Sequence, residues 1–198
     1  MSRIRPFRPG DEAALARVCL LTADAGADAT GVLVDEDLWG EVFVLPYVAR
    51  HPEFAFVVET DDGRVAGYVV GAPDTRAFEG WFASEWWPRF AERWPRPAGE
   101  RTRQDGVLIY AYGRGPGVEP YGDTHPAHLH IDLLPELQGQ GWGRRLIDTL
   151  SDALRAQGVA ALHLVASADN TGALAFYDRL GFERVPSHDG VQVFARSL

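Results

Sequence analysis

The stretch that decides the fold is Leu133–Leu150, which reads LLPELQGQGWGRRLIDTL. An apolar run ends at Pro135, and three glycines follow it: Gly139, Gly141 and Gly143. Apolar residues then recur at helical spacing: Leu146, Ile147, Leu150 and Leu154. This order predicts a buried strand, a glycine turn and an amphipathic helix that begins at the last glycine.

The glycine turn predicts a seat for phosphate or pyrophosphate. The first N–H groups of a helix have no acceptor within it, and the helix dipole favours a negative ligand there. Gly141 and Gly143 would let such a ligand approach the backbone without meeting a Cβ atom. The turn is neither GxxxxGK[ST] nor GxGxxG, so ATP and NAD are not expected. The alternative is a plain strand-to-helix connection.

Composition indicates one globular domain over residues 1–198. The net charge of −9 argues against nucleic-acid binding and weakly favours a cationic acceptor. No apolar run is long enough for a membrane span, and the N-terminus lacks an apolar signal core, so a cytoplasmic protein that does not contact membranes is expected. The single cysteine, Cys19, excludes an internal disulfide and a cysteine-based metal site, and no metal is expected.

Alternation and turn signals predict an α/β protein of the α+β type. Phe54–Glu59 and Arg64–Gly71 form a hairpin across Asp62-Gly63. Ala127 to Leu134 is predicted to be the central strand, with three titratable side chains on one face: His128, His130 and Asp132. Val159 to Ala166 is the next strand, and residues 182–195 form a closing hairpin. Asn170 is predicted to cap the helix that follows it.

Residues 74–126 form an insertion between the hairpin and the central strand. Its first part, Asp74 to Trp94, is predicted to be helical and is rich in tryptophan. These rings could be core, could line an acceptor pocket through Trp81 and Trp86, or could form a homodimer interface. Pro95 to Gly106 is predicted to be a loop, and Val107 to Tyr112 is ambiguous between helix and strand. An irregular helix over residues 35–49 carries Trp39, a second candidate for the acceptor site.

Two signatures resemble those of the GNAT superfamily of acetyl-CoA-dependent N-acetyltransferases. The first is Gln138, Gly141 and Gly143, and the second is NTGALAFYDRLGF over Asn170–Phe182. The resemblance implies a mixed central sheet of about six to seven strands flanked by helices, here with a helical and loop insertion before the central strand. The insertion, HLHIDLLP and the closing VQVFARSL are similar to the acetyltransferase-like domain of large O-GlcNAcases, a domain that has lost the glycine motif kept here.

The resemblance also implies roles for individual residues. The central strand would pair with the pantetheine arm of coenzyme A in a slot left by its diverging neighbour, and the glycine turn would hold the pyrophosphate. The cofactor residues are Leu133, Leu134, Gln138, Gly139, Gln140, Gly141, Trp142, Gly143, Arg144, Asn170, Ala173, Phe176 and Tyr177. Tyr177 would also protonate the leaving thiolate.

The acceptor amine must lose a proton before it can attack. His130 has the ordinary pKa of a base that works near pH 7, and Asp132 could orient it or act itself, through water. His128 on the same strand face, with Trp39, Trp81 and Trp86, is assigned to substrate binding. The expected activity is acetyl transfer from acetyl-CoA to a primary amine of a small molecule or peptide, by direct attack in a ternary complex. The alternative is a catalytically weak module that senses acetyl-CoA or scaffolds a partner.

Overall fold

The computed structural model describes residues 2–198, and they form one mixed sheet of seven strands in the order β1-β2-β3-β4-β5-β7-β6. The strands are β1 (Arg3–Pro6), β2 (Ala55–Glu59), β3 (Val65–Ala72), β4 (Ala127–Leu133), β5 (Ala161–Ser167), β6 (Glu183–Val185) and β7 (Val191–Ser197). The helices are α1 (Glu12–Leu20), α2 (Asp37–Phe43), α3 (Leu45–Arg50), α4 (Thr75–Trp81), α5 (Arg103–Gly113), α6 (Trp142–Ala156) and α7 (Thr171–Arg179). The expected architecture is confirmed.

Helices cover both faces of the sheet. Gly71 in β3 faces α6, because a Cβ built on it would lie 3.0 Å from Leu150. Tyr68 has the opposite parity in the same strand and lies beside Cys19 of α1. The sheet is therefore buried between α6 on one side and α1 on the other. No helix within residues 2–198 has the length and apolarity that crossing a membrane requires.

The two central strands diverge. β4 and β5 are parallel but pair only at Ala127↔Leu162 and His128↔His163. Beyond this point β4 continues to Leu133, still paired with β3, whereas β5 continues to Ser167, paired with β7. The predicted slot between the two strands is confirmed, and it opens toward the glycine turn that follows β4.

The insertion differs from its prediction in one element. The ambiguous segment Val107–Tyr112 belongs to α5, which begins at Arg103 inside the stretch expected to be a loop. A capping box starts this helix: Thr102 Oγ1 accepts from the N–H of Asp105 at 3.1 Å, and Asp105 Oδ2 accepts from the N–H of Thr102 at 2.9 Å. The signal was present in the sequence as T-x-x-D.

The aromatic stretch is mainly core. After α4 the chain continues as a π turn (Phe82–Trp86) and a 3-10 turn (Trp87–Phe90). Most of its large rings are buried: Phe78, Phe82, Trp86, Trp87 and Trp94. Two of them contact the fully buried side chain of Arg114, whose guanidinium carbon lies 4.9 Å from the ring centre of Phe78 and 5.0 Å from that of Phe82. Most of the rings therefore pack the insertion onto the domain, as the core alternative predicts.

The predicted helix over residues 35–49 is two helices, α2 and α3. The break falls at Val44, whose φ of −134° is not helical, and Pro46 enters the first turn of α3. A proline at that position needs no hydrogen-bond acceptor for its nitrogen, so the chain can restart a helix there. This break places Trp39 and Phe43 of α2 beside the open end of the slot.

Candidate active site

A continuous cleft follows the gap between β4 and β5. Its larger part, about 610 Å³, runs along the glycine turn, the start of α6 and one side of α7. Its smaller part, about 290 Å³, is bounded by α1, α2 and the two diverging strands. Asp132 and Tyr177 line both parts and so mark the place where they meet.

The glycine turn has the geometry of an anion seat. Gly141 adopts the left-handed conformation with φ of +80° and precedes α6 with no side chain capping the helix. The N–H groups of the next three residues open the helix, so no carbonyl within it can accept from them. A Cβ built on Gly143 would lie 2.8 Å from Phe176 Cζ, so this position admits only glycine unless Phe176 moves.

Most of the predicted cofactor residues line the larger part of the cleft: Leu133, Gln138, Gly139, Gly141, Trp142, Gly143, Arg144, Asn170, Ala173, Phe176 and Tyr177. Leu134 and Gln140 do not line it. The N–H of Leu134 donates to the carbonyl of Ala66 at 2.9 Å, so it is not free to pair with a pantetheine arm. Gln140 is exposed and donates back to Glu136.

Two features of the larger part were not predicted from the sequence. Arg179, in the last turn of α7, lines the cleft together with Arg144 and adds a second cation. Thr22, Ala25 and Gly26 cover the cleft from the loop after α1. Ala25 has a φ of +50°, and a Cβ on Gly26 would lie 3.0 Å from Asn170 Nδ2. Composition alone marked this segment only as a loop.

Asn170 acts as the predicted helix cap. Its Oδ1 accepts from the N–H of Ala173 at 3.0 Å, which starts α7 at the mouth of the cleft. This cap fixes the orientation of α7 and therefore the direction in which Tyr177 projects.

Tyr177 is 7 % exposed, and its phenol hydroxyl has no hydrogen-bond partner among residues 2–198, although its backbone carbonyl accepts from the N–H of Phe182. Burial, with a smaller contribution from the Asp132 carboxylate, raises the pKa of its phenol above the ordinary value. The hydroxyl therefore stays protonated at neutral pH and faces the junction of the two parts of the cleft. It has the position and protonation state of a proton donor.

Asp132 is a half-buried residue whose carboxyl group is held by a neighbouring strand. Tyr68, its cross-strand partner in β3, donates a short hydrogen bond to Asp132 Oδ2. Burial raises the pKa of Asp132 above the ordinary value, and the hydrogen bond from Tyr68 partly offsets this. Burial thus makes this carboxylate a stronger base than an exposed one.

His130 also lines the smaller part of the cleft, but it does not titrate near neutral pH as expected. Its ring centre lies 5.2 Å from that of Tyr47 and 5.9 Å from that of Phe43. Burial, together with the positive charge of Arg114, lowers the pKa of His130 to about 3. The imidazole is therefore neutral throughout the physiological range and is a weak base.

His128 does not reach the cleft. Its ring is buried and bonded on both nitrogens: Tyr47 Oη lies 2.7 Å from Nε2, and Thr75 Oγ1 lies 2.8 Å from Nδ1. Arg114, from the insertion, also lies 3.2 Å from Nε2, so these groups tie the insertion to β4. Sequence reasoning missed Tyr47, Thr75 and Arg114 because they come from three distant segments.

Of the three tryptophans assigned to the acceptor, one lies at the cleft. Trp39 lines the smaller part together with Phe43, Cys19 and, at the rim, Arg103. Trp81 and Trp86 contact each other, with ring centres 5.6 Å apart, and line neither part. The insertion therefore contributes only the start of α5 to the smaller part of the cleft, through Arg103.

Comparison with known proteins agrees with this architecture. The sequence model of the acetyltransferase (GNAT) family matches residues 32–182. The crystal structure of SsHAT superposes with a TM-score of 0.95 at 39% identity, covering 99% of this chain and 98% of that one.

The chain spans only about a fifth to a third of the length of two curated relatives that it matches. Protein O-GlcNAcase of Rattus norvegicus is 24% identical over 202 residues, which is 98% of this chain and 22% of that protein. Mycothiol acetyltransferase of Geodermatophilus obscurus is 34% identical over 108 residues, which is 52% of this chain and 35% of that protein. Together with the family match and the diverging strands, these likenesses show that the chain belongs to the GNAT family of acetyltransferases.

Proposed function

We propose that this GNAT protein transfers the acetyl group of acetyl-CoA to a primary amine of a small molecule or peptide, by direct attack in a ternary complex. The observation that carries the proposal is the continuous cleft, which has an anion seat at one end and an ionisable pair, Asp132 and Tyr177, where its two parts meet. Acetyl-CoA supplies an activated acetyl group as a thioester.

The residues of the larger part of the cleft fit coenzyme A. The uncapped start of α6 offers backbone N–H groups to the pyrophosphate, and Arg144 and Arg179 add positive charge beside them. Beyond His128, β4 remains paired with β3 but not with β5, so the backbone groups that point toward β5 are free along the slot. One such N–H directed at the thioester carbonyl typically contributes about 2.7–4 kcal/mol to transition-state stabilisation.

Asp132 is the group best suited to take the proton of the acceptor. An alkyl ammonium with a pKa of about 10.4 is almost wholly protonated at pH 7. Burial moves the pKa of Asp132 upward, toward that of the amine, and moves the pKa of His130 downward, away from it. The negative carboxylate also attracts the ammonium, whereas His130 carries no charge that could do so. Asp132 is therefore the proposed base, and His130 forms a neutral wall.

Asp132 and Tyr177 together account for every proton transfer in the reaction. The ammonium gives its first proton to Asp132 and becomes a nucleophile. As the C–N bond forms and the C–S bond breaks, Tyr177 donates its phenolic proton to the departing sulfur. The nitrogen, which has become part of an amide, gives up a second proton that restores Tyr177. Each turnover therefore releases one proton to solvent, and this proton leaves from Asp132.

The smaller part of the cleft indicates what kind of acceptor it takes. Aromatic rings of Trp39 and Phe43 lie on one side, and Asp132 lies at the inner end. Aromatic faces and a carboxylate both attract a cation. At about 290 Å³ this space holds the amine and a short apolar portion next to it. The acceptor would therefore carry its ammonium group at the end of a short, narrow apolar chain.

Turnover with a panel of amines tests the proposal, with coenzyme A release followed by a thiol reagent. We expect release with at least one amine, and a loss of about 10²–10⁴-fold in kcat for Asp132→Asn. Because Asp132 must be ionised, the wild-type kcat should fall as the pH drops through the raised pKa of Asp132. This fall is the acid limb of the pH profile, and Asp132→Asn should lose it. Binding of acetyl-CoA by calorimetry without turnover across a broad panel would instead support the sensor alternative.

A further inference from the structure

The proposed base does not stand alone in the fold. Tyr68 lies directly opposite Asp132 in the β3–β4 register, so both side chains project from the same face of the sheet. Tyr68 is fully buried, and its hydroxyl donates to Asp132 Oδ2. The hydrogen bond therefore links a core residue to a carboxylate that lines the cleft.

A phenylalanine would fill the same space without the hydroxyl. Burying a hydroxyl is unfavourable unless it is hydrogen-bonded, so packing alone does not explain a tyrosine at this position. The titratable and polar groups that face Asp132 from the neighbouring elements are Tyr68 of β3, Cys19 of α1, Thr22 after α1 and Tyr177 of α7. None of them is positively charged, so hydrogen bonds rather than an ion pair stabilise the carboxylate.

Given Asp132 as the base, on which this step rests, we propose that Tyr68 is its positioning residue. The phenol fixes Oδ2 against the sheet, so that Oδ1 is presented to the acceptor amine. It also sets the pH at which the base loses its charge, because it donates to the ionised carboxylate. Burial and the adjacent carboxylate raise the pKa of Tyr68 far above its ordinary value, so the phenol remains a donor at every pH at which the enzyme works.

The test compares pH profiles of kcat for wild type, Tyr68→Phe, Asp132→Asn and a matched control, Tyr112→Phe. Tyr112 also donates one partly buried hydrogen bond, to the carbonyl of Trp94 at 2.8 Å, but it lies outside the cleft. Loss of a hydrogen bond to a charged group should move the acid limb upward by about 1–2 pH units in Tyr68→Phe. Tyr112→Phe should leave the limb where it is in wild type.

A second measurement does not depend on activity. Titration of the Asp132 carboxyl carbon by NMR, identified by its loss in Asp132→Asn, should show the same upward shift of pKa in Tyr68→Phe. Melting temperatures of all variants separate this effect from a general loss of stability.

The outcomes are distinguishable. If Tyr68→Phe lowers the melting temperature or kcat but leaves both the acid limb and the carboxyl titration in place, Tyr68 is merely structural and the proposal is overturned, while Asp132 remains the base. If Asp132→Asn keeps the acid limb, the base itself has been misassigned, and the role of Tyr68 fails with it. An upward shift in Tyr68→Phe together with loss of the limb in Asp132→Asn supports the proposal.

Discussion

Two glycines at the ends of α6 allow a controlled test of the anion seat. Gly141 before the helix and Gly158 after it have φ values of +80° and +77°, and a Cβ on either would meet no atom within 4 Å. Aspartate tolerates this left-handed conformation better than most residues. Gly141→Asp also places a negative charge at a helix N-terminus, which the helix dipole favours, whereas Gly158→Asp places one at the C-terminus. The test variant should therefore fold at least as well as its control.

The expected loss of affinity follows from the charge. A carboxylate on Gly141 would lie about 5 Å from a phosphate bound by the first N–H groups of α6, and at an effective dielectric constant of about 20 this repulsion is about 3 kcal/mol. That energy corresponds to a roughly hundredfold higher Kd for coenzyme A. Gly141→Asn has nearly the same shape without the charge, so the difference between the two variants isolates the electrostatic part.

Thermal unfolding with coenzyme A measures the effect. At a ligand concentration of about 100 times the wild-type Kd, binding stabilises the wild type by about 2.7 kcal/mol, and a hundredfold weaker variant by only about 0.4 kcal/mol. For a domain of this size these energies raise the Tm by about 5–10 °C and about 1 °C respectively. Gly158→Asp should show the full wild-type shift. Equal shifts in Gly141→Asp and wild type would show that the pyrophosphate is held elsewhere.

Two further substitutions separate the remaining roles. Tyr177→Phe should lower kcat by about 10²-fold or more while leaving the Kd for coenzyme A unchanged, because it removes the proton donor but keeps the ring that lines the cleft. Pre-steady-state acetyl transfer at wild-type speed would contradict the acid role. Trp39→Phe should raise the KM of the acceptor by about tenfold, whereas Trp81→Phe should not change it, since Trp39 lines the smaller part of the cleft and Trp81 does not. A change in KM with Trp81→Phe would mean that the acceptor extends onto the insertion.

Local pattern was sufficient for the elements on which the fold depends. The β2–β3 hairpin, the glycine turn and the cap at Asn170 all lie where predicted, because each is determined by residues within a few positions of one another. The start of α5 was missed although its capping box was visible in the sequence. The aromatic stretch could not be assigned by pattern, because helical spacing of large rings is the same whether the rings face a core, a pocket or a partner.

The protonation chemistry of the site could not be predicted from local pattern, because it depends on burial and on contacts between distant segments. From the sequence, the alternation along β4 placed His128, His130 and Asp132 on one face. The glycine turn predicted an anion seat, and the resemblance to GNAT proteins implied the role of Tyr177. The chain order could not show that Arg114 and burial would make His130 a poor base, or that Tyr68, sixty-four positions before Asp132, would donate to it. A pKa is set by the charges and solvent around a group, and only the packed tertiary structure brings those together.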